Sequence, residues 1–185
     1  MILKLPALLS VLAFPLAAAQ TIPYKTVPGS GRIDFAYRVT LIPVNGSTPD
    51  VQASASVDVA RLNSSSAQVT VPLANLKTGI GLRDRHALDA LGAKEFPNVS
   101  FVLSKLSDAA TVADGQSVTL TGEGTFTLKG VTKPLKTQIK LTRQGQQLRV
   151  NTSFEIRPQD YGVNVIGADG STTIKVAFVL APVSP

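Results

Sequence analysis

Apolar and polar residues alternate along most of this chain in short runs, which is the pattern of β-strands with one buried face. In the first long run, apolar side chains at 33, 35, 37, 39 and 41 fall on one face, and Asp34, Ala36, Arg38 and Thr40 fall on the other. Seven further runs repeat this arrangement. The predicted strands are 33–41, 51–62, 67–73, 98–106, 118–128, 131–143, 148–156 and 171–180.

The connections between these runs are mostly short, so consecutive strands are expected to pair in an antiparallel manner. Residues 20–30 are interpreted as a lead-in, and residues 43–49, which contain Asn45-Gly46, as a turn. Eight long strands, each with one apolar face, fit either a two-sheet sandwich or a closed barrel. We favour an all-β, eight-stranded antiparallel up-and-down barrel, because its inward faces mix Phe with Ala or Gly and leave room inside.

The apolar phase of each strand predicts which side chains point into the barrel and would line a ligand-binding lumen. Alanines such as Ala53 and Ala55 on the second strand are expected to leave space there. The predicted lumen residues are Ile33, Phe35, Tyr37, Val39, Val57, Val71, Phe101, Leu103, Phe126, Leu128, Phe154, Ile156, Ile174, Val176 and Phe178.

The alternation stops between residues 76 and 101, after the third predicted strand, and one short helix is predicted there. Asp84 is a candidate N-cap, the helix should run to about Leu91, and Gly92 should end it. Leu88 and Leu91 lie three residues apart and would share its buried stripe.

The same stretch holds His86, the sole histidine, within the cluster Arg83, Asp84, Arg85 and His86. With one histidine and no cysteine, the usual zinc-binding patterns are absent, so no metal site is predicted. A Ser-His-Asp hydrolase using His86 stays open as the less favoured alternative, although no G-x-S-x-G segment is present. We favour a structural or entrance role for the cluster, with no catalytic residue and no cofactor.

The first nineteen residues have the organisation of a secretory signal peptide, with Lys4, an apolar run over 5–16 and Ala17-Ala18-Ala19. Cleavage is expected after Ala19, which leaves residues 20–185 as one domain in the periplasm or outside the cell. Because the chain has no cysteine, a lipoprotein anchor and disulfide bonds are excluded.

Lys4 is the only charge in that segment, so its removal lowers the net charge from +6 to +5. A basic balance of this size indicates a solvated surface that permits peripheral contact with an anionic membrane. Nucleic acid is not an expected partner, because no run of five or more Lys or Arg occurs and the chain is expected to be exported. Monomer and homodimer both stay open.

Three blocks of the sequence together resemble one known family. The first is Thr78-Gly79 with Arg83-Asp84, His86 and Phe96-Pro97; the second is GTFTLKGVTKPL over 124–135; the third is Ile156-Arg157 followed by DYGV over 160–163. These blocks are similar to those of YceI-like proteins, a polyisoprenoid-binding, lipocalin-like barrel family often exported to the bacterial periplasm.

The resemblance implies that Thr78, Arg83, Asp84 and His86 belong to a motif of the family, and we place this motif at the barrel rim. It also implies a ligand, namely a long-chain isoprenoid such as a polyprenyl or isoprenoid-quinone-like lipid. Two alternatives remain: a fatty-acid or amide-type amphiphile, and a stress-protection protein without a small ligand.

Overall fold

Antiparallel strands close into a barrel in the computed structural model, which describes residues 20–108, 110–168 and 170–183. The predicted signal peptide, residues 1–19, lies outside the described residues. The strands are β1 Ile22–Thr26, β2 Arg32–Val39, β3 Ile42–Thr48, β4 Gln52–Val57, β5 Ser66–Pro72, β6 Asn98–Ser107, β7 Ser117–Leu128, β8 Val131–Gln144, β9 Gln147–Ile156 and β10 Thr172–Pro182. The helix α1 spans Gly81–Ala90, and 3-10 helices span Leu62–Ser64 and Pro158–Tyr161.

These strands fill eight positions around the barrel, because two positions are each shared by two consecutive strands. β1 and β2 follow one another along the same edge of β10, with Tyr24 opposite Pro182 and Ile33 opposite Val176. β4 pairs with β1 and β3 pairs with β2, so β3 and β4 share the next position. Each of β5 to β10 pairs with the strand before it in the order β4-β5-β6-β7-β8-β9-β10, and β1 closes the ring. The predicted eight-stranded antiparallel barrel with one short helix is confirmed.

Two predictions near the start of the chain are wrong. The lead-in contains β1, and residues 43–49 form most of β3 rather than a turn. The turn lies at Thr40-Leu41, because Val39 pairs with Ile42. Gly46 belongs to a strand: a Cβ there would lie 2.1 Å from Cζ of Phe35, so the Phe35 ring fills the space over the glycine.

The predicted second strand also ends earlier than expected, at Val57 rather than 62. Asp58 Oδ1 accepts hydrogen bonds from the N–H groups of Ala60 and Arg61, at 2.9 and 3.2 Å. This Asp-centred turn diverts the backbone from the sheet into the 3-10 helix at Leu62–Ser64.

The helix α1 begins four residues earlier than predicted, with Ile80 rather than Asp84 at its N-cap. Asp84 therefore lies in the first turn. The predicted end is correct, because Gly92 follows the helix with φ +65° and its N–H bonds to the carbonyl of Asp89.

Apolar side chains pack most tightly at the end of the barrel opposite α1. Leu62, Val112, Leu120 and Leu148 are all 2% exposed or less and close that end. A second cluster, which contains Phe126, Leu128, Ile156, Tyr161 and Val163, packs against Ala90 and Leu91 beside the helix. The space between the two clusters is the candidate site.

Candidate functional site

The barrel encloses a cavity of about 300 Å³ that is lined by side chains from β2 to β10, from α1 and from residues 158–168. The lining is almost entirely aliphatic and aromatic, with a few Ser, Thr and Gln side chains and no charged side chain among the described residues. Such a cavity suits an apolar ligand, because burial of apolar surface is its only substantial source of binding energy.

The cavity opens at the end that carries α1. Tyr37, Leu91 and Val165 line it there and remain partly exposed, whereas the opposite end is closed by fully buried leucines. We call this open end the mouth.

Most of the residues that the strand phase assigned to the lumen lie on this lining. The structure brings together Ile33, Phe35, Tyr37, Val57, Val71, Phe101, Leu103, Phe126, Leu128, Phe154, Ile156, Ile174, Val176 and Phe178. The prediction is wrong for Val39, which is not part of the lining. It lies at the outer end of β2, where it forms an antiparallel bridge with Ala168. The strand phase persists there, but the barrel wall has already ended.

Alanines, rather than glycines, leave the space inside the barrel. Ala53, Ala55 and Ala67 line the cavity. The glycines of β7 are covered by neighbours, since a Cβ on Gly122 would lie 2.5 Å from Ile139 Cδ1 and one on Gly124 would lie 2.1 Å from the Val102 carbonyl oxygen. The glycines of β7 were therefore wrongly expected to leave open space inside the barrel.

The sequence prediction missed most of the side chains that cover the mouth. Ala87 and Ala90 of α1 line the cavity together with Leu91 at the helix C-cap, which was predicted to be buried, and so do Val163, Val165 and Ala168. The spacing of 87, 90 and 91 is that of one helical face and could have identified this contact. Leu88, which was expected on the buried stripe, is instead half-buried and is not part of the lining.

Asp84 fixes the loop that leads into α1. One of its carboxylate oxygens accepts hydrogen bonds from the N–H and the hydroxyl of Thr78, both at 2.6 Å. These bonds, assisted by Lys77 at 3.9 Å, hold the pKa of Asp84 below its usual value. Arg83 adds a hydrogen bond from its guanidinium to the Thr78 carbonyl. Thr78, Arg83 and Asp84 thus form one hydrogen-bonded unit at the start of the helix.

Arg83 also lies close enough to Tyr37, a lining residue, to influence its ionisation. Burial raises the pKa of the Tyr37 phenol, and the positive charge of Arg83 offsets part of that rise. The Nε of Arg83 is buried, and no described residue accepts a hydrogen bond from it. The motif therefore places a cation beside the cavity mouth.

Lys129, in the turn between β7 and β8, connects the end of α1 to the segment that contains Gly162. Its ammonium donates to the carbonyls of Ala90 at 3.0 Å and Gly162 at 2.9 Å. Tyr161 packs edge-on against Phe126 with ring centroids 5.6 Å apart. The helix, the β7–β8 turn and the 158–163 segment are thus connected at the mouth.

His86 does not belong to this arrangement. Its side chain is exposed on α1 and is not part of the described cavity lining. Within the described ranges, no group of three or more His, Cys, Asp or Glu side chains could hold a metal ion. No helix of the described chain is long and apolar enough to cross a bilayer.

Comparison with known proteins agrees with this architecture. The family model described as a YceI-like domain matches residues 24–181. No curated protein matches the chain closely enough to count.

Three solved structures share the fold. Burkholderia cenocepacia BcnA is 18% identical with a TM-score of 0.73, covering 83% of this chain and 98% of its own. A polyisoprenoid binding domain from Saccharophagus degradans, implicated in plant cell wall breakdown, is 16% identical with a TM-score of 0.71, covering 88% and 99%. The Campylobacter jejuni YCEI protein is 19% identical with a TM-score of 0.64, covering 77% and 86%.

Proposed function

This chain belongs to the YceI-like domain family, and we propose that it binds a long-chain isoprenoid lipid, polyprenyl or isoprenoid-quinone-like, in the barrel cavity. The protein holds or carries the lipid without changing it chemically. The observation that carries the proposal is the enclosed apolar cavity with no charged lining side chain among the described residues.

The energetics favour such a ligand. Burying one methylene is worth about 0.8 kcal/mol, whereas association costs roughly 4–15 kcal/mol in lost freedom. A short ligand offers too little apolar surface to offset that cost, and a chain of several prenyl units offers enough. A volume near 300 Å³ lies at the small end of ligand pockets, which span about 300–1,000 Å³. The cavity therefore takes one stretch of the chain, and the remainder extends through the mouth.

The polar end of the lipid is placed at the mouth in this proposal. Arg83 and Tyr37 supply a cation and a phenol there, which suits an anionic or carbonyl-bearing head group. The name of the Saccharophagus degradans neighbour, a polyisoprenoid binding domain, supports this ligand class.

We place the protein outside the cytoplasm, as a monomer or homodimer that acquires its lipid at a membrane. The N-terminal pattern supports this, with Lys4, the apolar run and Ala17-Ala18-Ala19. Intact-mass measurement of the protein from its own host should give a chain that starts at Gln20.

The test is mass spectrometry of the organic extract of the protein purified from that host, alongside two variants. Wild type should retain a prenyl lipid. Ala55→Trp should lose it, because the indole would occupy cavity space on β4. His86→Ala, on the exposed face of α1, should retain it.

Thermal unfolding of the same samples separates an open cavity from a solid core. Overpacking a solid core costs about 1–3 kcal/mol, so Ala55→Trp would then unfold much earlier than wild type. Lost lipid with retained stability supports the proposal. A wild-type protein that carries no lipid and is strongly destabilised by the Trp would refute it.

A further inference from the structure

Large apolar side chains are exposed around the mouth. Among the described residues, ten large apolar side chains are exposed, and six of them lie on three segments that flank the mouth. Ile166 is 99% exposed and Leu41 is 83% exposed. We call this set the mouth rim; it consists of Leu41, Ile42, Ile80, Leu82, Val165 and Ile166.

The rim is built from segments that are fixed to one another. The Thr40 N–H donates to the Gly167 carbonyl at 2.5 Å, and Val39 pairs with Ala168. The β2–β3 turn and the 165–168 segment therefore present their apolar side chains together. Val165 and Ala168 also line the cavity, so the exposed apolar surface is continuous with its interior.

The third segment of the rim is attached through β3. Ser47 and Lys77 exchange backbone hydrogen bonds at 2.8 Å, and Arg83 lies near Tyr37 on the adjacent strand. Ile80 and Leu82 thus project from the start of α1 on the same end of the molecule.

Charge around the rim is predominantly positive. Residues 37–42, 77–86 and 163–168 carry four cations, Arg38, Lys77, Arg83 and Arg85, and one carboxylate, Asp84. That carboxylate is buried and bonded to Thr78, so it presents little negative charge to solvent. Exposed apolar residues with surrounding cations are the combination that binds an anionic bilayer surface, where side chains enter the interface and basic groups meet phosphates.

We propose that the mouth rim docks on an anionic phospholipid bilayer, with the cavity mouth facing the membrane. A lipid chain then passes between bilayer and cavity without crossing water. The inference builds on the proposed function, because it supplies the route to the cavity, but docking is measurable with the cavity empty, filled or blocked.

The experiment is sedimentation of the purified protein with vesicles of phosphatidylcholine alone or of equimolar phosphatidylcholine and phosphatidylglycerol. Wild type should partition to the anionic vesicles and lose binding in high salt. Leu41→Thr/Ile166→Thr should weaken partitioning by about tenfold or more. The matched control is Ile22→Thr/Val102→Thr, which removes two side chains exposed by 46% and 45% elsewhere on the molecule and should bind like wild type.

The contribution of the cations to docking is tested with two further double variants. Arg38→Gln/Arg85→Gln should weaken binding to anionic vesicles by about thirtyfold, since each cation near such a surface contributes about 1 kcal/mol. Lys140→Gln/Arg149→Gln removes the same charge from exposed positions on β8 and β9 and should change binding far less.

Site-specific fluorescence keeps the test valid if a double variant folds poorly. The chain has no cysteine, so Ile166→Cys and Val102→Cys each provide one attachment point for an environment-sensitive dye. The dye at 166 should shift to the blue on anionic vesicles, and the dye at 102 should not.

Several outcomes would overturn the docking proposal. These are equal loss in rim and control variants, equal binding to neutral and anionic vesicles, and equal dye shifts at 166 and 102. A dimer that Leu41→Thr/Ile166→Thr converts to monomer, with no vesicle binding, would assign the rim to a second copy instead. Ala55→Trp distinguishes the two proposals, because it should lose lipid but still dock.

Discussion

The Thr78–Asp84 pair shows how single residues position the mouth. Asp84 lies in the first turn of α1, where its carboxylate accepts two hydrogen bonds from Thr78 and faces the positive end of the helix dipole. Arg83 bonds the carbonyl of the same threonine. This unit fixes where α1 starts and so places Ala87, Ala90 and Leu91 over the cavity.

Because the pKa of Asp84 is held below its usual value, its contribution to stability depends on pH in a defined direction. The contribution is complete above the unfolded pKa, about 3.9, and disappears as the pH falls through the lower folded pKa. Asp84→Asn should therefore lower the unfolding midpoint at pH 7, and its difference from wild type should shrink on acidification below about pH 4.

Denaturant titrations across that pH range check this prediction. Asp89→Asn, which alters an exposed acid of the same helix, should leave the midpoint near that of wild type at pH 7. A constant difference between Asp84→Asn and wild type down to the lowest pH would contradict the assigned role of the charge.

Individual residues also show why residues 43–49 were wrongly predicted to form a turn. An Asn-Gly pair favours a tight turn locally, but Gly46 is covered by the Phe35 ring of the neighbouring strand, a tertiary contact without a local signal. The real turn uses Thr40 at φ +59°, an unusual conformation for a β-branched residue. Residue composition therefore could not reveal it.

At the scale of elements, Lys129 connects three parts of the fold. The β7–β8 turn carries this lysine to the carbonyl of Ala90 at the C-terminus of α1, where the helix dipole favours a cation. The same ammonium reaches the Gly162 carbonyl just after the Pro158–Tyr161 3-10 helix. One side chain thus holds the helix against the rest of the mouth.

Replacing this lysine with an apolar residue of similar length should loosen the mouth. Lys129→Met removes both hydrogen bonds, and because the bond to Ala90 is partly buried and the bond to Gly162 is exposed, we expect a loss of about 1–2 kcal/mol in unfolding free energy. Hydrogen exchange should accelerate at the end of α1 and not in β7 or β8.

Lys94→Met, at an exposed lysine just beyond the same helix, is the matched control and should have little effect on either measurement. Equal effects of the two substitutions would show that Lys129 acts only through its charge and not through these two contacts.

The existence and the end of α1 were predicted from the sequence, whereas its buried face was predicted only in part. Leu88 and Leu91 are the bulkiest apolar residues in the predicted stripe, yet the lining uses Ala87, Ala90 and Leu91. Small residues face the cavity because the helix lies close over the barrel end, where Lys129 of the β7–β8 turn binds the Ala90 carbonyl.

At the scale of the whole molecule, the period-two pattern predicted the eight-stranded barrel but not the strands β1 and β3. A one-residue slip would turn every apolar side chain of a strand outward, so strand phase predicted fourteen of the lining residues correctly. The sharing of barrel positions by β1 with β2 and by β3 with β4 depends on pairing between distant strands. Neither that pairing nor the cavity volume has a local signature.

An open apolar cavity should also make the stability of the whole barrel depend on its ligand. A lipid that binds the folded state alone stabilises it by about 2.7 kcal/mol when free lipid is a hundredfold above its dissociation constant. For a domain of this size, each kcal/mol shifts the unfolding temperature by about 2–4 °C. Protein delipidated by organic extraction and refolding should therefore unfold about 5–10 °C below the same protein reloaded with a prenyl lipid. Differential scanning calorimetry measures both states, and Ala55→Trp should show no such difference because its cavity is filled. A wild-type protein whose unfolding temperature is the same with and without saturating prenyl lipid would exclude the cavity as the binding site.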